Sequence, residues 1–168
     1  MTAINRILIV DDEDNVRRML STAFALQGFE THCANNGRTA LHLFADIHPD
    51  VVLMDIRMPE MDGISMIEAL KVSHPNIPIL VTSAHNESEY LMRLINLGVN
   101  NFITKPLQSD QILGVLHSIV EKIHQEQLLN QYKQDLEIAN EKLKKFAHMQ
   151  SKSLEVKTSF LRAYKEAL

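Results

Sequence analysis

The stretch DVVLMDIRMPEMDG, residues 50–63, decides the fold. It opens with a short apolar run at residues 51–54 that stops at Asp55, and Pro59 and Gly63 follow. An apolar run of this length with turn residues behind it predicts a buried strand, then a loop that leads into a helix. An aspartate at the end of a buried strand is the first indication of a functional site.

The same alternation continues on both sides of this segment. Further strand-like runs lie at residues 6–10, 30–34, 79–82 and 101–104, with helix-period stretches between them. Strands that alternate with helices are typical of a parallel sheet covered on both faces. The sequence therefore predicts an α/β fold, a doubly wound five-stranded parallel sheet of order 2-1-3-4-5 (flavodoxin-like), with an extended C-terminal helix.

The pattern changes after about Ser109. No Pro follows Pro106 and no Gly follows Gly114, so no obvious residue stops a helix before the end of the chain. Apolar residues recur at alternate spacings of three and four, which is typical of a coiled-coil seam: Leu129, Tyr132, Leu136, Ala139, Leu143 and Phe146. We expect a compact domain over residues 1–124 and a helical coiled-coil extension or linker over 125–168.

The amino-acid composition argues against several classes of function. The formal net charge of −4 argues against general binding to nucleic acid or to a membrane surface, since both need clustered positive charge. The single cysteine, Cys33, excludes an internal disulfide and fits a reducing compartment. The sequence has neither a signal-peptide pattern nor an apolar stretch long enough for a membrane span, so the cytoplasm is the expected location.

Acidic residues follow two strands that neighbour each other in the predicted order. Asp11 and Asp12 end the first strand, and Asp55 ends the third. The carboxyl ends of parallel strands share one edge, so we expect these carboxylates to converge there. Like charges so close repel each other unless a cation lies between them, and oxygen ligands of this kind suit Mg²⁺.

Ser83 and Lys105 follow the fourth and fifth strands at the same edge. A lysine supplies a point charge for a phosphoryl group and a hydroxyl supplies a hydrogen-bond donor, while a carboxylate beside Mg²⁺ can attack a phosphoryl donor. The structural alternative is that the acids only cap helices and Lys105 is a solvated cation. Five polar residues at the ends of four strands favour a site.

Four segments resemble the CheY-like receiver domains of two-component response regulators: residues 7–13, 50–63, 82–84 and 102–106. The resemblance covers about residues 4–124, which identifies the 1–124 domain as a receiver. It implies that Asp55 is the phosphoacceptor. It also implies that Asp11, Asp12, Asp55 and the backbone carbonyl of Arg57 bind Mg²⁺.

The resemblance assigns the remaining site residues as well. Lys105 matches the lysine that pairs with the phosphoryl group and is followed by a cis peptide bond. Ser83, rather than the competing Thr82, matches the switch hydroxyl, and Phe102 matches the switch aromatic. We hypothesise that Arg57 and His85 modulate the lifetime of the acyl phosphate by hindering water.

The implied function is that of a response regulator, which is not an enzyme beyond its own phosphorylation and dephosphorylation. A sensor histidine kinase or a phosphotransfer protein supplies the phosphoryl group. Phosphorylation then switches the surface of the fourth helix, fifth strand and fifth helix, and with it the C-terminal helix. We expect that helix to form a homodimer, pairing two chains in parallel, or to bind a partner protein.

Three alternatives stay open. The chain can be the N-terminal part of a larger regulator whose effector, such as a cyclic-di-GMP enzyme, is missing. It can be an aspartyl-phosphate phosphatase, although Arg57 occupies the position where such enzymes carry a second aspartate. It can also be a scaffold with vestigial phosphorylation, against which the complete set of site residues argues.

Overall fold

The computed structural model describes residues 6–84, 88–99 and 101–166 of the 168-residue chain. Strands and helices alternate along these residues in the following order: β1 (Arg6–Val10), α1 (Asp14–Leu26), β2 (Glu30–Ala34), α2 (Gly37–Ile47), β3 (Val51–Asp55), α3 (Gly63–Ser73), β4 (Ile79–Ser83), α4 (Ser88–Asn96), β5 (Asn101–Thr104) and α5 (Ser109–Glu166).

The strands form one parallel sheet in the order β2-β1-β3-β4-β5, which confirms the predicted doubly wound α/β fold. Strands β3 and β4 reach farther than the apolar runs that predicted them. Asp55 still pairs with Thr82, and Ser83 pairs with Thr104. Both polar residues therefore belong to the sheet, which fixes their backbones.

The core lies on both faces of the central strands. All residues of β3 and β4 are buried, as are residues 7–10 of β1, whereas β2 is partly exposed. Continuous burial explains why these strands are apolar throughout instead of alternating. Each fully buried Val, Leu or Ile side chain contributes about 1.5–3 kcal/mol, so the strand ends are held on a rigid support.

Gly63 allows the loop after β3 to return to the strand. A Cβ atom on Gly63 would lie 2.5 Å from the carbonyl oxygen of Asp55, which no side chain tolerates. The N–H of Gly63 donates to the carbonyl of Ile56 at 2.8 Å, and Asp62 caps α3 by accepting from the N–H of Ser65 at 2.8 Å. The segment Met61-Asp62-Gly63 thus brings the loop backbone into close contact with the end of β3.

The contacts within the chain divide it into two units, residues 1–120 and 121–168. Helix α5 continues through both ranges to Glu166, which confirms the predicted long C-terminal helix. Every described side chain from 124 to 166 is exposed. The exposed apolar residues include Leu128, Leu129, Tyr132, Leu136, Ile138, Leu143, Phe146 and Met149. The proposed domain boundary after residue 124 stays a prediction.

Among the helices described, none combines the length and the apolar character that a membrane crossing requires.

Candidate functional site

Three aspartates meet at the carboxyl edge of the sheet. Asp11 follows β1 and Asp55 ends β3, and the register pairs Val10 with Met54 just before them. Asp12 comes next along the chain. Each of the three carboxylates offers an oxygen within 4.8 Å of the others. The structure therefore places these residues together, as the predicted strand order requires.

Asp55 is a buried carboxylate, with 6% of the residue exposed. One of its oxygens, Oδ1, accepts the N–H of Ile56 at 2.7 Å. The other, Oδ2, accepts a hydrogen bond from Nζ of Lys105 at 2.6 Å. A charged lysine donor strengthens such a bond, so Lys105 is the counter-charge that lies against Asp55 in the buried site.

Asp11 is fully buried, and it lies farther from the positive charge of Lys105 than Asp55 does. Its Oδ1 accepts the N–H of Glu13 at 2.9 Å, and its Oδ2 lies 3.5 Å from Nζ of Lys105. Burial raises the pKa of Asp11 above its ordinary value, and the charge of Asp55 raises it further. The Glu13 N–H and Lys105 lower the pKa without cancelling that rise. Lys105 therefore offsets only part of the negative charge of the acidic cluster.

Lys105 is the cation of this cluster, with 24% of its side chain exposed. Burial alone lowers its pKa, but the hydrogen bond to Asp55 and the attraction of Asp55, Asp11 and Glu13 outweigh burial and raise the pKa above 10.5. A raised pKa in the folded chain stabilises the fold below 10.5, and this stabilisation is lost as the pH rises through the raised pKa. Lys105 is therefore charged at neutral pH.

The donor set fits Mg²⁺. Three carboxylates with oxygens within 4.8 Å of one another supply hard oxygen ligands, and Asp12 keeps the cluster open to solvent. Lys105 contacts Asp55 and Asp11, so one ammonium group offsets part of the charge of the three carboxylates and leaves negative charge for a divalent cation to neutralise. Asp11, Asp12 and Asp55 are thus able to hold such an ion.

Ser83 and Lys105 are joined through their main chains. The N–H of Lys105 donates to the carbonyl of Ser83 at 2.8 Å, and the Lys105–Pro106 peptide bond is cis. Ser83 is buried at the end of β4. Thr82, the competing hydroxyl, is also buried and donates to the carbonyl of Met54 at 3.4 Å. The switch role of Ser83 stays a prediction.

Arg57 lies at the mouth of the site. It helps to line a cavity of about 420 Å³ together with Asp12 and Tyr90. Its guanidinium carbon is 5.9 Å from the centre of the Tyr90 ring, within range of a cation–π contact. The expected roles of Arg57, as a carbonyl ligand and as a modulator of phosphate lifetime, stay predictions. His85 lies outside the described residues.

Phe102 is partly buried and packs against the core on β5, and its role as the switch aromatic also stays a prediction. Sequence reasoning missed two side chains near the site. Tyr90 lies on α4, and no sequence pattern predicts its contact with Arg57. Arg17 contacts the backbone of the acidic loop, and only its spacing after Asp12 offered a hint.

Comparisons with known proteins agree with this geometry. The family model described as the response regulator receiver domain matches residues 7–117. Regulatory protein AtoC of Escherichia coli (strain K12) is 64% identical over 112 residues, which are 67% of this chain and 24% of that protein. The chemotaxis protein CheY of Thermotoga maritima is 37% identical over 115 residues, covering 68% of this chain and 96% of that protein.

Solved structures show the same architecture. A receiver domain protein from Methanospirillum hungatei superposes with a TM-score of 0.70 at 22% identity, over 73% of this chain and 98% of that one, which is a likeness of fold. The Brucella abortus regulator NtrX in complex with ATP superposes with a TM-score of 0.70 at 28% identity, over 76% of this chain and 29% of that one. The chain matches only a minor part of AtoC and NtrX.

Proposed function

The chain belongs to the response regulator receiver domain family through residues 7–117, and on that premise we propose that Asp55 accepts a phosphoryl group and switches the chain between two signalling states. One observation carries the proposal. The buried carboxylate of Asp55 contacts Lys105 at 2.6 Å and lies within 4.8 Å of the carboxylates of Asp11 and Asp12.

Asp55 is the nucleophile of the proposed transfer. A carboxylate oxygen forms a bond to phosphorus while the bond between phosphorus and the donor breaks, and the electron pair of that bond leaves with the donor. The donor is a phosphohistidine of a sensor histidine kinase or a phosphotransfer protein, and acetyl phosphate can replace it in vitro. The product is an acyl phosphate with a charge of about −2.

Asp11, Asp12 and Asp55 hold Mg²⁺ in this proposal, together with the backbone carbonyl of Arg57. When bound there, the ion would supply positive charge against the phosphoryl oxygens, which would allow an anionic donor to approach three carboxylates. Lys105 already lies 2.6 Å from Asp55, so its ammonium group is in place to pair with the transferred phosphoryl group.

The switch follows from the new charge. We assign Ser83 as the hydroxyl that donates to the phosphoryl group and Phe102 as the aromatic that moves with it. The Lys105–Ser83 backbone bond couples the ends of β4 and β5, which supports a joint response of these strands. The surface that changes is formed by α4, β5 and α5, and the C-terminal helix transmits the change.

Arg57 and His85 modulate the lifetime of the acyl phosphate. The contact between Arg57 and Tyr90 supports this assignment for Arg57, because it holds a bulky guanidinium beside the cavity that Asp12 lines. Asp12 belongs both to this cavity and to the acidic cluster, so the guanidinium lies close to the place where water would attack the phosphorus atom. The family is a signalling family, and slow self-hydrolysis rather than catalytic turnover is the activity that we assign. A phosphatase is disfavoured because Arg57 stands where a second aspartate is needed.

The C-terminal helix forms a homodimer in this proposal. Its exposed apolar residues follow coiled-coil spacing from Leu129 to Phe146, and such a seam is stable when a second helix covers it. The partners are therefore a second copy of the chain and a phosphodonor protein. A net charge of −4 supports protein partners over nucleic acid or membrane, with the cytoplasm as location.

An observation also favours the alternative of a larger regulator. The chain matches 24% of AtoC and 26% of the Escherichia coli protein named DNA-binding transcriptional regulator NtrC. In that case the described domain is the phosphoacceptor part and the effector, whether a DNA-binding module or a cyclic-di-GMP enzyme, lies in sequence that these residues do not include.

Labelling with acetyl phosphate and Mg²⁺ tests the proposal. Intact-mass spectrometry is expected to show one added phosphoryl group per wild-type chain and none on Asp55→Asn. Asp46→Asn is the matched control, because it removes an exposed carboxylate from α2 and should label as the wild type does. Equal labelling of Asp55→Asn and wild type, or rapid catalytic consumption of acetyl phosphate, contradicts the receiver function.

A further inference from the structure

Arg17 makes an unusual set of contacts behind the acidic site. Its Nη1 donates to the backbone carbonyl of Asp11 at 2.6 Å and to that of Asp12 at 2.9 Å. Its Nη2 donates to Oδ1 of Asp14 at 3.1 Å. One guanidinium thus joins the main chain of both acidic residues to the first turn of α1.

The side chain of Arg17 is largely shielded from solvent. Only 16% of the Arg17 side chain is exposed, although the residue lies on a surface helix. The N–H of Arg17 donates to the carbonyl of Glu13 at 3.1 Å, which anchors the arginine to the same loop. The carbonyl of Asp11 belongs to a fully buried residue, and such a group is costly to leave without a donor, so the loop conformation depends on this side chain.

The hydrogen bonds that Arg17 donates to Asp11 and Asp12 go to their carbonyls and not to their carboxylates. We propose that Arg17 is a positioning residue for cation binding, which holds the loop of residues 11–13 so that both carboxylates face the metal. The inference rests on the proposed function of the acidic site. Groups behind metal ligands commonly control affinity in this way, because they fix the direction of each ligand.

Because Arg17 is positively charged, a positioning role and a purely electrostatic role predict opposite changes in cation affinity when the residue is replaced. A positive charge near a cation site weakens cation binding, so removal of the charge alone strengthens it. Loss of the two carbonyl contacts weakens binding, because the loop gains conformations in which the carboxylates are apart. The positioning role therefore predicts weaker binding for a neutral variant, and a purely electrostatic role predicts the opposite.

Arg18 is the matched control. It follows Arg17 directly in α1 and pairs with Asp14 at 2.8 Å, but 78% of its side chain is exposed, and the hydrogen bonds to the carbonyls of Asp11 and Asp12 come from Arg17. Arg18→Gln removes the same charge as Arg17→Gln without touching the carbonyls of the acidic loop. Any difference between the two variants thus reports the contacts of Arg17.

The probe is Mn²⁺, with the free ion counted by electron paramagnetic resonance in titrations of the full chain. Arg17→Gln is expected to raise the Kd for Mn²⁺ about tenfold, while Arg18→Gln leaves it unchanged or lowers it. Arg17→Lys keeps the charge and can reach one carbonyl, so its Kd should lie between those of wild type and Arg17→Gln. Phosphorylation should need more Mg²⁺ for half-maximal rate, with the rate at saturating Mg²⁺ unchanged.

A melting curve of each metal-free variant separates positioning from loss of fold. If Arg17→Gln is unfolded, Arg17→Lys decides, and a wild-type Kd in that variant overturns the inference. Equal or tighter Mn²⁺ binding by folded Arg17→Gln also overturns it. Absence of Mn²⁺ binding by the wild type overturns the proposed metal site itself and the inference with it, whereas labelling that depends on Asp55 tests the receiver function separately.

Discussion

Charged side chains are usually exposed and large apolar side chains usually buried. The carboxyl edge of the sheet and the helix of residues 121–166 each depart from this distribution, in different ways. At the edge, the charged residues Asp11 and Asp55 are buried. Along the helix, apolar residues such as Leu136 and Phe146 are exposed. Buried charge and exposed apolar stripes are the informative departures from the common pattern. Each region therefore favours the binding partner that we propose for it.

The two regions differ in what completes them. The edge is held in place by a packed core, and in the proposed function a small cation and a phosphoryl group neutralise or rearrange its charge. The helix has exposed side chains along its whole described length from residue 124, and in the proposed function a second copy of the helix covers the apolar ones. On this proposal the edge is a preformed chemical site, and the helix is a surface for assembly. Paired substitutions in the two regions test this distinction.

The largest expected effect comes from truncating a leucine in each region. Leu53 in β3 is buried, so Leu53→Ala should lower the free energy of unfolding by about 2–5 kcal/mol. Leu136 is 64% exposed, and Leu136→Ala should leave the stability of the sheet within about 0.5 kcal/mol of wild type. Hydrogen exchange of the strand amides in urea measures both.

The same Leu136→Ala variant should weaken self-association, since it removes a seam residue. Sedimentation equilibrium of the full chain gives the dimer Kd, which should rise for Leu136→Ala and stay unchanged for a substitution off the seam such as Lys144→Ala. A wild-type chain that sediments as a monomer at all concentrations contradicts the proposed homodimer and leaves the edge chemistry intact.

Replacement of a lysine in each region should have the next largest effect. Lys105→Met leaves the buried carboxylates without their cation, which should cost about 2–3 kcal/mol once the partial exposure of the pair is considered. Lys133→Met on the exposed helix should change stability by less than about 0.5 kcal/mol. Metal-free urea unfolding measures both, and equal effects would show that the edge cluster is solvated.

Substitution of glycine tests the fit of the loop to β3. Gly63→Ala places a Cβ atom 2.5 Å from the carbonyl oxygen of Asp55 and should destabilise by about 1–3 kcal/mol, while slowing phosphoryl labelling. Gly114 in α5 has open space, so Gly114→Ala should stabilise by up to about 1 kcal/mol. Thermal melts report the stabilities, and unimpaired labelling in Gly63→Ala would show that the close approach is dispensable.

The smallest expected effect has the opposite sign. Burial raises the pKa of Asp11, so its ionisation above 3.8 works against folding. Asp11→Asn should therefore stabilise the metal-free chain at neutral pH by about 0.5–2 kcal/mol. The gain should shrink as the pH falls through the raised pKa of Asp11 and vanish well below 3.8, where the wild-type carboxyl is protonated in both folded and unfolded chains. Urea midpoints across this range measure it, and a destabilised variant at neutral pH contradicts the assignment.

Much of the fold could be predicted, because local pattern and global topology agree. Apolar runs of strand length between helix-period stretches gave the sheet and its order. Asp55 ends β3 as predicted, whereas β4 extends one residue beyond the predicted run at 79–82 and includes Ser83. A polar residue interrupts the apolar run, yet backbone pairing with Thr82 and Thr104 continues the ladder.

The candidate site was predictable where strand topology alone brings residues together. Asp11 follows β1, Asp55 ends β3 and Lys105 follows β5, all at the carboxyl edge of one parallel sheet, so their presence at a common edge follows from the topology. Arg17 and Tyr90 act through side-chain conformations that reach back over a turn or across a loop. Such contacts depend on rotamers and on packing, which spacing in the sequence does not specify.

The central claim is that the phosphoryl group resides on Asp55, and chemical trapping tests it most directly. After incubation with acetyl phosphate and Mg²⁺, borohydride reduces an aspartyl phosphate to homoserine, which peptide mass spectrometry locates. The account predicts homoserine at position 55 alone, in the peptide that contains residues 50–63. Homoserine at Asp11, Asp12 or another aspartate, or none anywhere, contradicts it.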